Sequence, residues 1–428
     1  MSIVFSLLGT LVFIVGIVLF ITSCRLFTSG ALSIPAITLL TAGIYYYLMP
    51  ILFLLAGEYQ WFGLFLNSME LPQLAVGLYM IGAFFAFFSS KAVLEFNPNF
   101  GKSIEIQPQF KIVFLVVALA VGAILTKVLL GLLVLTTSRT SDISGSDITG
   151  LNFLNLGHSM LLSMMVFYLV KSNFSPKAIL IMFGLLVIFL LEGFRFRIVI
   201  LLTSAVIAFT MMKNIKVRPA FVAAAMFGGI TALNAVGLAR SYGQGLDLSK
   251  LQGMSFGDMF KSFGGEGGPV FVMVHLTETP PPVFVHFEPW TNAVARFVPT
   301  FLWPDKPFPD YLYLISDGFP DPAARTAGIA GTQHAEFFLQ FGWWGLPILS
   351  FLFFKLACLI LRQFQKLGLE GRIAGYSLVP PLCGFYAQQR GYTFQIICEL
   401  IFTLGPLFFI YWRAHDTKEM RQRAWRGK

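Results

Sequence analysis

The sequence predicts an all-α polytopic integral membrane protein, and three observations predict it. Of its 428 residues 56% are hydrophobic and only 12% charged, where soluble domains carry about 25% charged residues. The mean hydropathy is +0.75. Apolar runs of about 20 residues, the length that crosses a bilayer, follow one another along most of the chain and are broken by one long polar stretch, 240–333. Lipid is therefore the solvent for most of this protein. An aromatic share of 16%, with 47 Phe, suits lipid-facing helices and interfacial belts.

About eleven transmembrane helices are expected on that length criterion, near 3–22, 31–56, 73–92, 112–135, 155–171, 177–193, 197–213, 219–239, 334–362, 373–388 and 392–412. The first has no basic leader and no small-residue cleavage site after it, so it reads as a retained span. The second contains Pro50, which predicts a kink. The fifth and tenth are short or interrupted by polar residues. No self-similar halves are visible, which gives no support to an inverted-repeat transporter. The expected organisation is eight helices over 1–239, a loop over 240–333, three helices over 334–412 and a basic tail over 413–428.

Lys and Arg set the orientation. Net charge is +9, and the tail RAHDTKEMRQRAWRGK, placed in the cytoplasm, shares its face with Arg25, Lys91, Lys102, Lys171, Lys213 and Lys366. The tail reads as a topology determinant and a contact for anionic lipid heads. The other face holds fewer cations, among them Arg195, Arg197, Arg240, Arg296, Lys306, Arg325 and Arg390, and most of the acidic residues. The long loop and the N-terminus are then outside.

Within the loop, Leu246 to Phe263 has the spaced apolar residues of a short surface helix. GGEGG at 264–268 is a flexible break. TETPPP followed by VFVHFEPW is rigid and extended at its prolines, and PDYLYLISDGFPDP is one more short helix. The whole reads as a small lid, with too little apolar material for its own core.

Loops longer than about 15 residues are usually functional, and the outer cations stand against the positive-inside bias. Arg195 and Arg197, in GFRFR, join two spans; on an extended backbone they point to one side, as paired forks would for a diphosphate. On a helix they would diverge by about 200°, and Glu192 could neutralise one of them. Arg240 ends the eighth span in GLARSYG, where a helix C-terminus favours a cation in any case. Arg296 and Arg390 are further candidates. Tyr242, Trp290 and Trp303 could stack on sugars or anchor at the interface.

His334 and Glu336, in GTQHAEFFLQFGWWG, form a second constellation. A histidine beside a carboxylate suits general-base work, although positions i and i+2 of a helix do not face each other, so Glu336 is better placed to meet an arginine. Glu399 and Lys127 are ionisable residues inside spans, which makes each a functional candidate by default. Cys24, Cys358, Cys383 and Cys398 show no metal or redox spacing, and no P-loop, GxSxG or HExxH motif occurs. No metal, cofactor or nucleic-acid partner is expected.

Taken together, GLARSYG, the long outer loop, RFVPTFLWPDKP and GTQHAEFFLQFGWWGLP resemble the bacterial O-antigen or oligosaccharide repeat-unit polymerases, the Wzy family, over about residues 193–350. His334 beside the glutamate departs from that pattern. The resemblance implies a GT-C-like glycosyltransferase in the bacterial inner membrane, working on its periplasmic face without a metal. It implies undecaprenyl-diphosphate-linked glycans as donor and acceptor, with a chain-length regulator as a candidate partner. The growing chain would move onto the incoming lipid-linked unit. Arg195, Arg197 and Arg240, then Arg296 and Arg390, would hold the diphosphate, and Tyr242, Trp290 and Trp303 the glycan. An O-antigen ligase or another polyprenol-dependent transferase would use the same cations, and a flippase for lipid-linked sugars is the reading from another class.

Overall fold

The computed structural model describes residues 34–56, 60–61, 64–65, 68–90, 110–129, 154–192, 195–213, 268–298, 302–303, 332–390 and 393–426, with 14, 94, 215, 319 and 321 as single positions. The expected spans at 3–22 and 219–239, the surface helix at 246–263, and Arg240 and Tyr242 lie outside these residues, as does nearly all of the expected helix at 309–322.

The described chain is helical apart from a short antiparallel pair, β1 (Gln60–Trp61) on β2 (Leu64–Phe65). Its helices are α1 (Ile34–Gly43), a π-helical segment π1 (Ile44–Leu48), α2 (Met49–Ala56), α3 (Glu70–Phe88), α4 (Phe110–Leu129), α5 (Leu154–Lys171), α6 (Pro176–Glu192) and α7 (Arg195–Lys213). They continue with α8 (Gly268–Glu278), α9 (Glu288–Phe297), α10 (Gln333–Phe364), α11 (Leu369–Pro380), a second π-helical segment π2 (Pro381–Tyr386), α12 (Ala387–Arg390) and α13 (Thr393–Arg426). Among the described residues five stretches are long and apolar enough to cross a membrane: Ile34–Ile51, Glu70–Phe88, Phe196–Lys213, Gln333–Phe364 and Thr393–Tyr411. Lys111–Thr126 and Pro176–Leu190 are shorter apolar helices.

The side chains are distributed as lipid requires. Phe85, Phe88, Phe114 and Leu180 face outward, with Phe114 76% exposed, while Gln73, Gln333, Gln340 and Gln388 are buried. Water would favour the reverse.

The expected kink at Pro50 takes a specific form. Pro50 has no N–H to give the carbonyl of Tyr46, four residues earlier. The chain widens into π1 there, closing with Met49 N–H on Ile44 O, and Gln73 Nε2 donates to the freed Tyr46 carbonyl at 3.2 Å. A second widening, π2, starts within the Pro380–Pro381 pair, and α1, which leads into π1, packs directly on π2.

Helix α10 is broken near its start. Phe341 and Gly342 leave helical geometry, with Gly342 at φ 58°, ψ −142°, a region open essentially to glycine alone. The 22 residues after the break span about 33 Å, enough for a bilayer without help. Gln333–Gln340 is thus a separate half-helix, and all eight of its residues are buried. Thr332 caps it, its Oγ1 accepting from Ala335 N at 3.2 Å. The expected ninth span, 334–362, is therefore two pieces.

The long part of α10 meets α3 almost backbone to backbone. A Cβ on Gly82 would fall 2.1 Å from the Pro347 carbonyl oxygen, and Ser350 Oγ donates to Tyr79 O at 2.8 Å. Small residues that admit close approach are the usual means of association in lipid.

The loop differs from the lid the sequence suggests. Its described part begins with α8, whose Val270, Phe271, Val272, Met273, Val274 and Leu276 are buried against α3 and α10. GPVFVMVHLTE is apolar enough to be drawn into the common core, so this piece of the loop is structural filling. Within VFVHFEPW the proline is helical, since α9 opens at Glu288 with Pro289 in its first turn, a position where the missing N–H costs nothing.

Candidate functional site

The half-helix Gln333–Gln340 is the centre of a buried polar cluster. The His334 ring lies 4.2 Å from the Tyr79 ring and 5.4 Å from that of Tyr46, centroid to centroid. Its Nδ1 stands 3.5 Å from the Tyr46 hydroxyl. Tyr79 donates its own hydroxyl to Gln333 Oε1 at 2.5 Å. Gln388, beside the imidazole, donates through Nε2 to Thr38 O at 3.2 Å and to Gly384 O at 2.5 Å. His334 is fully buried and walled by two tyrosines. These contacts tie π1 and α3 to the half-helix through His334, whose Nε2 is buried with no hydrogen-bond partner among the described residues.

Glu336 has a different neighbour. Its Oε2 accepts from Thr393 N at 2.7 Å, so the carboxylate sits on the first N–H of α13, where a helix end favours negative charge. His334 and Glu336 do not meet each other, as the helical spacing predicts. The two side chains serve different helices, as positions i and i+2 must. Among the described residues, the Thr393 N–H is a partner of Glu336.

The arginine pair also departs from expectation. Helix α7 starts at Arg195, so Arg195 and Arg197 are both helical and diverge by about 200°. Helix α6 ends at Glu192 and α7 starts at Arg195, so the backbone at Arg195 and Arg197 is helical and not the extended link that would set two forks side by side. Arg197 is 2% exposed. Its Nη2 lies 3.5 Å from Oε1 of Glu399 on α13, and its guanidinium carbon is 5.3 Å from the centre of the Phe196 ring. Phe196 in turn lies 4.8 Å from the ring of Tyr386 in π2. Among the described residues a carboxylate that meets Arg197 is that of Glu399, 202 residues away in sequence.

The remaining candidates are placed as follows. Trp290 on α9 donates its indole N–H to Gln340 Oε1 at 2.9 Å and keeps 39% of its surface exposed. Trp303 is 42% exposed. Arg296 lies in α9, which packs against α13, and Arg390 ends α12 just before α13 begins; for these two and for Arg195 the backbone alone is described.

A strap from the loop secures the helix break. Val285 N and His286 N donate to the carbonyls of Leu339 and Gln340, at 2.9 and 3.1 Å, carbonyls that an unbroken helix would have used itself. Non-helical backbone at membrane depth is tolerated where protein buries it and satisfies it. Burial holds the His275 imidazole of α8 below its usual range, and the ring packs 5.5 Å from that of Phe319. Among the described residues no three His, Cys, Asp or Glu side chains converge as metal ligands.

Sequence reasoning missed Tyr46, Gln73, Tyr79 and Gln388. The available signal was their polarity within apolar runs, with Tyr46 close to Pro50 and Gln388 close to the Pro380–Pro381 pair.

Compared with known proteins, the chain matches no family model, no curated protein and no solved structure.

Proposed function

We propose that this chain is a membrane-embedded glycosyltransferase acting on polyprenyl-diphosphate-linked glycans from the non-cytoplasmic face, and specifically a repeat-unit polymerase. One observation carries the reading. The described elements bearing the outer arginines gather around α13: α7 through Arg197 and Glu399, α9 by packing on it, and α12 by leading into it. A departing diphosphate is stabilised by fixed positive charge placed where negative charge develops, and guanidinium is the side chain best shaped to bind it. The motif resemblance in GLARSYG, RFVPTFLWPDKP and GTQHAEFFLQFGWWGLP adds the polymerase. Undecaprenyl diphosphate in a bacterial inner membrane and a periplasmic acceptor unit come with that resemblance.

In this reading Arg195, Arg240, Arg296 and Arg390 hold the diphosphate, while Arg197 supplies charge from below. Tyr242, Trp290 and Trp303 meet the glycan. The test is Arg195→Ala and Arg240→Ala in cells that depend on this chain for polymer. Both are expected to lose long-chain product while the protein stays at normal level in the membrane; normal ladders from both would retire the arginine assignment.

A second reading has its own support. A broken α10 beside two π-widened helices is the kind of discontinuity that transporters place around a substrate site. A flippase of lipid-linked glycan would translocate a fluorescent polyprenyl-diphosphate sugar in liposomes and leave its length unchanged. A ligase would pass the glycan to a different acceptor lipid.

A further inference from the structure

We propose that Glu399 is the proton acceptor for the incoming sugar hydroxyl, an assignment that rests on the glycosyltransferase reading above. Transfer of a glycan from a diphosphate needs two things from the protein: positive charge for the leaving group and a base for the attacking oxygen. The sequence offers His334 and Glu336 for the second role; in the structure Glu336 is taken up by the head of α13, and His334 is walled in by two aromatic rings while its buried Nε2 has no hydrogen-bond partner among the described residues. His334 is enclosed by Tyr46 and Tyr79, and Glu336 Oε2 is occupied by the Thr393 N–H.

Glu399 is arranged differently. Its Oε1 faces Arg197 Nη2 at 3.5 Å. Its Oε2 is buried and has no hydrogen-bond partner among the described residues. A buried carboxylate oxygen left without a donor is costly, and an acceptor hydroxyl is the donor it lacks. Thr403, one turn further along the same face of α13, also buries an Oγ1 without a partner among the described residues. That oxygen is suited to a second sugar hydroxyl.

The depth is compatible with access from the loop side. Arg197 is in the first turn of α7, and Glu399 lies about 9 Å along α13 from Thr393. The carboxylate is therefore near the helix ends, on the side where the half-helix meets α13.

The step balances without a further reagent. The acceptor O–H bond breaks as its proton passes to Glu399 Oε2. The freed oxygen forms the new bond to the anomeric carbon of the donor. The bond from that carbon to the diphosphate oxygen breaks, and its electron pair leaves on the diphosphate. The proton on Glu399 then returns to solvent or to the departing group.

The test uses the purified full chain in liposomes with polyprenyl-diphosphate-linked repeat units, comparing wild type, Glu399→Gln, Glu399→Asp and Glu399→Ala with and without added formate. Glu399→Gln keeps the shape and an oxygen for Arg197, so binding of a polyprenyl diphosphate and the melting temperature should be near wild type. Its kcat is expected to fall by about 10²- to 10⁴-fold, the range for loss of a general base, with little change in KM. Glu399→Asp should be intermediate. Formate should restore part of the rate to Glu399→Ala, which a purely structural role would not allow. A Glu399→Gln enzyme with wild-type kcat, or a folded Glu399→Ala that formate leaves inert, overturns the assignment. If the wild type itself makes no polymer, it is the glycosyltransferase reading that fails.

Discussion

Glu336 on the half-helix and Thr393 at the head of α13 are joined by a backbone N–H to carboxylate bond of 2.7 Å. This bond ties the two pieces of chain on either side of the α10–α13 junction. A buried N–H stripped of its acceptor costs about 1–3 kcal/mol. Glu336→Ala should therefore lower the melting temperature in detergent, whereas Glu336→Gln, which retains an acceptor oxygen, should lower it less. If Glu336→Gln kept full stability and yet abolished polymer, the residue would be catalytic after all.

Gly342 makes a sharper stability prediction. Its backbone lies where side chains are excluded, and a Cβ would approach the Phe284 ring to 2.8 Å. Gly342→Ala should destabilise by about 1–3 kcal/mol from backbone strain alone, with the ring contact adding to it. Thermal unfolding measures this, and pairing the change with Phe284→Ala should recover only the steric part.

Trp290 separates anchoring from stacking. Trp290→Phe removes the indole N–H that holds Gln340 and should cost about 1 kcal/mol in docking of the strap. It leaves an aromatic face for a sugar. If the ring contacts glycan, Trp290→Phe keeps most polymerising activity and Trp290→Ala does not; equal activity in both would leave the residue as a fastener for α10.

The pH behaviour of α8 follows from His275. Burial depresses its imidazole, so the neutral form is the one the folded state favours. That contribution is complete above the unfolded value of about 6.5 and is lost as pH falls through the lower folded value. Amide exchange in Gly268–Glu278 should rise on acidification. His275→Phe, which keeps a ring against Phe319, should flatten the dependence.

Much of the architecture was legible because helices in lipid announce themselves by hydropathy. Pro50 correctly marked an interruption, and the N-termini of α7 and α10 fell within two residues of expectation. The sequence could not reveal that α10 breaks at Gly342, since FGWWG is apolar on both sides and only backbone geometry separates the pieces. Burial of α8 was overlooked because a polar neighbourhood disguised VFVMV. The Arg197–Glu399 contact was invisible for a different reason. Both residues could be flagged as ionisable groups in apolar surroundings, but 202 positions lie between them and only packing of α7, α11 and α13 brings them together. That His334 and Glu336 would face different ways was legible from their i, i+2 spacing, but not that one would meet Tyr79 and the other the Thr393 N–H.

The central claim is that this chain lengthens lipid-linked glycan, and incubation of the purified protein in liposomes with polyprenyl-diphosphate-linked repeat units measures it directly. The account predicts a ladder of products on a gel, each step one repeat unit longer and still attached to the lipid diphosphate. A single band of unchanged length, whether or not the lipid has crossed the bilayer, would contradict it.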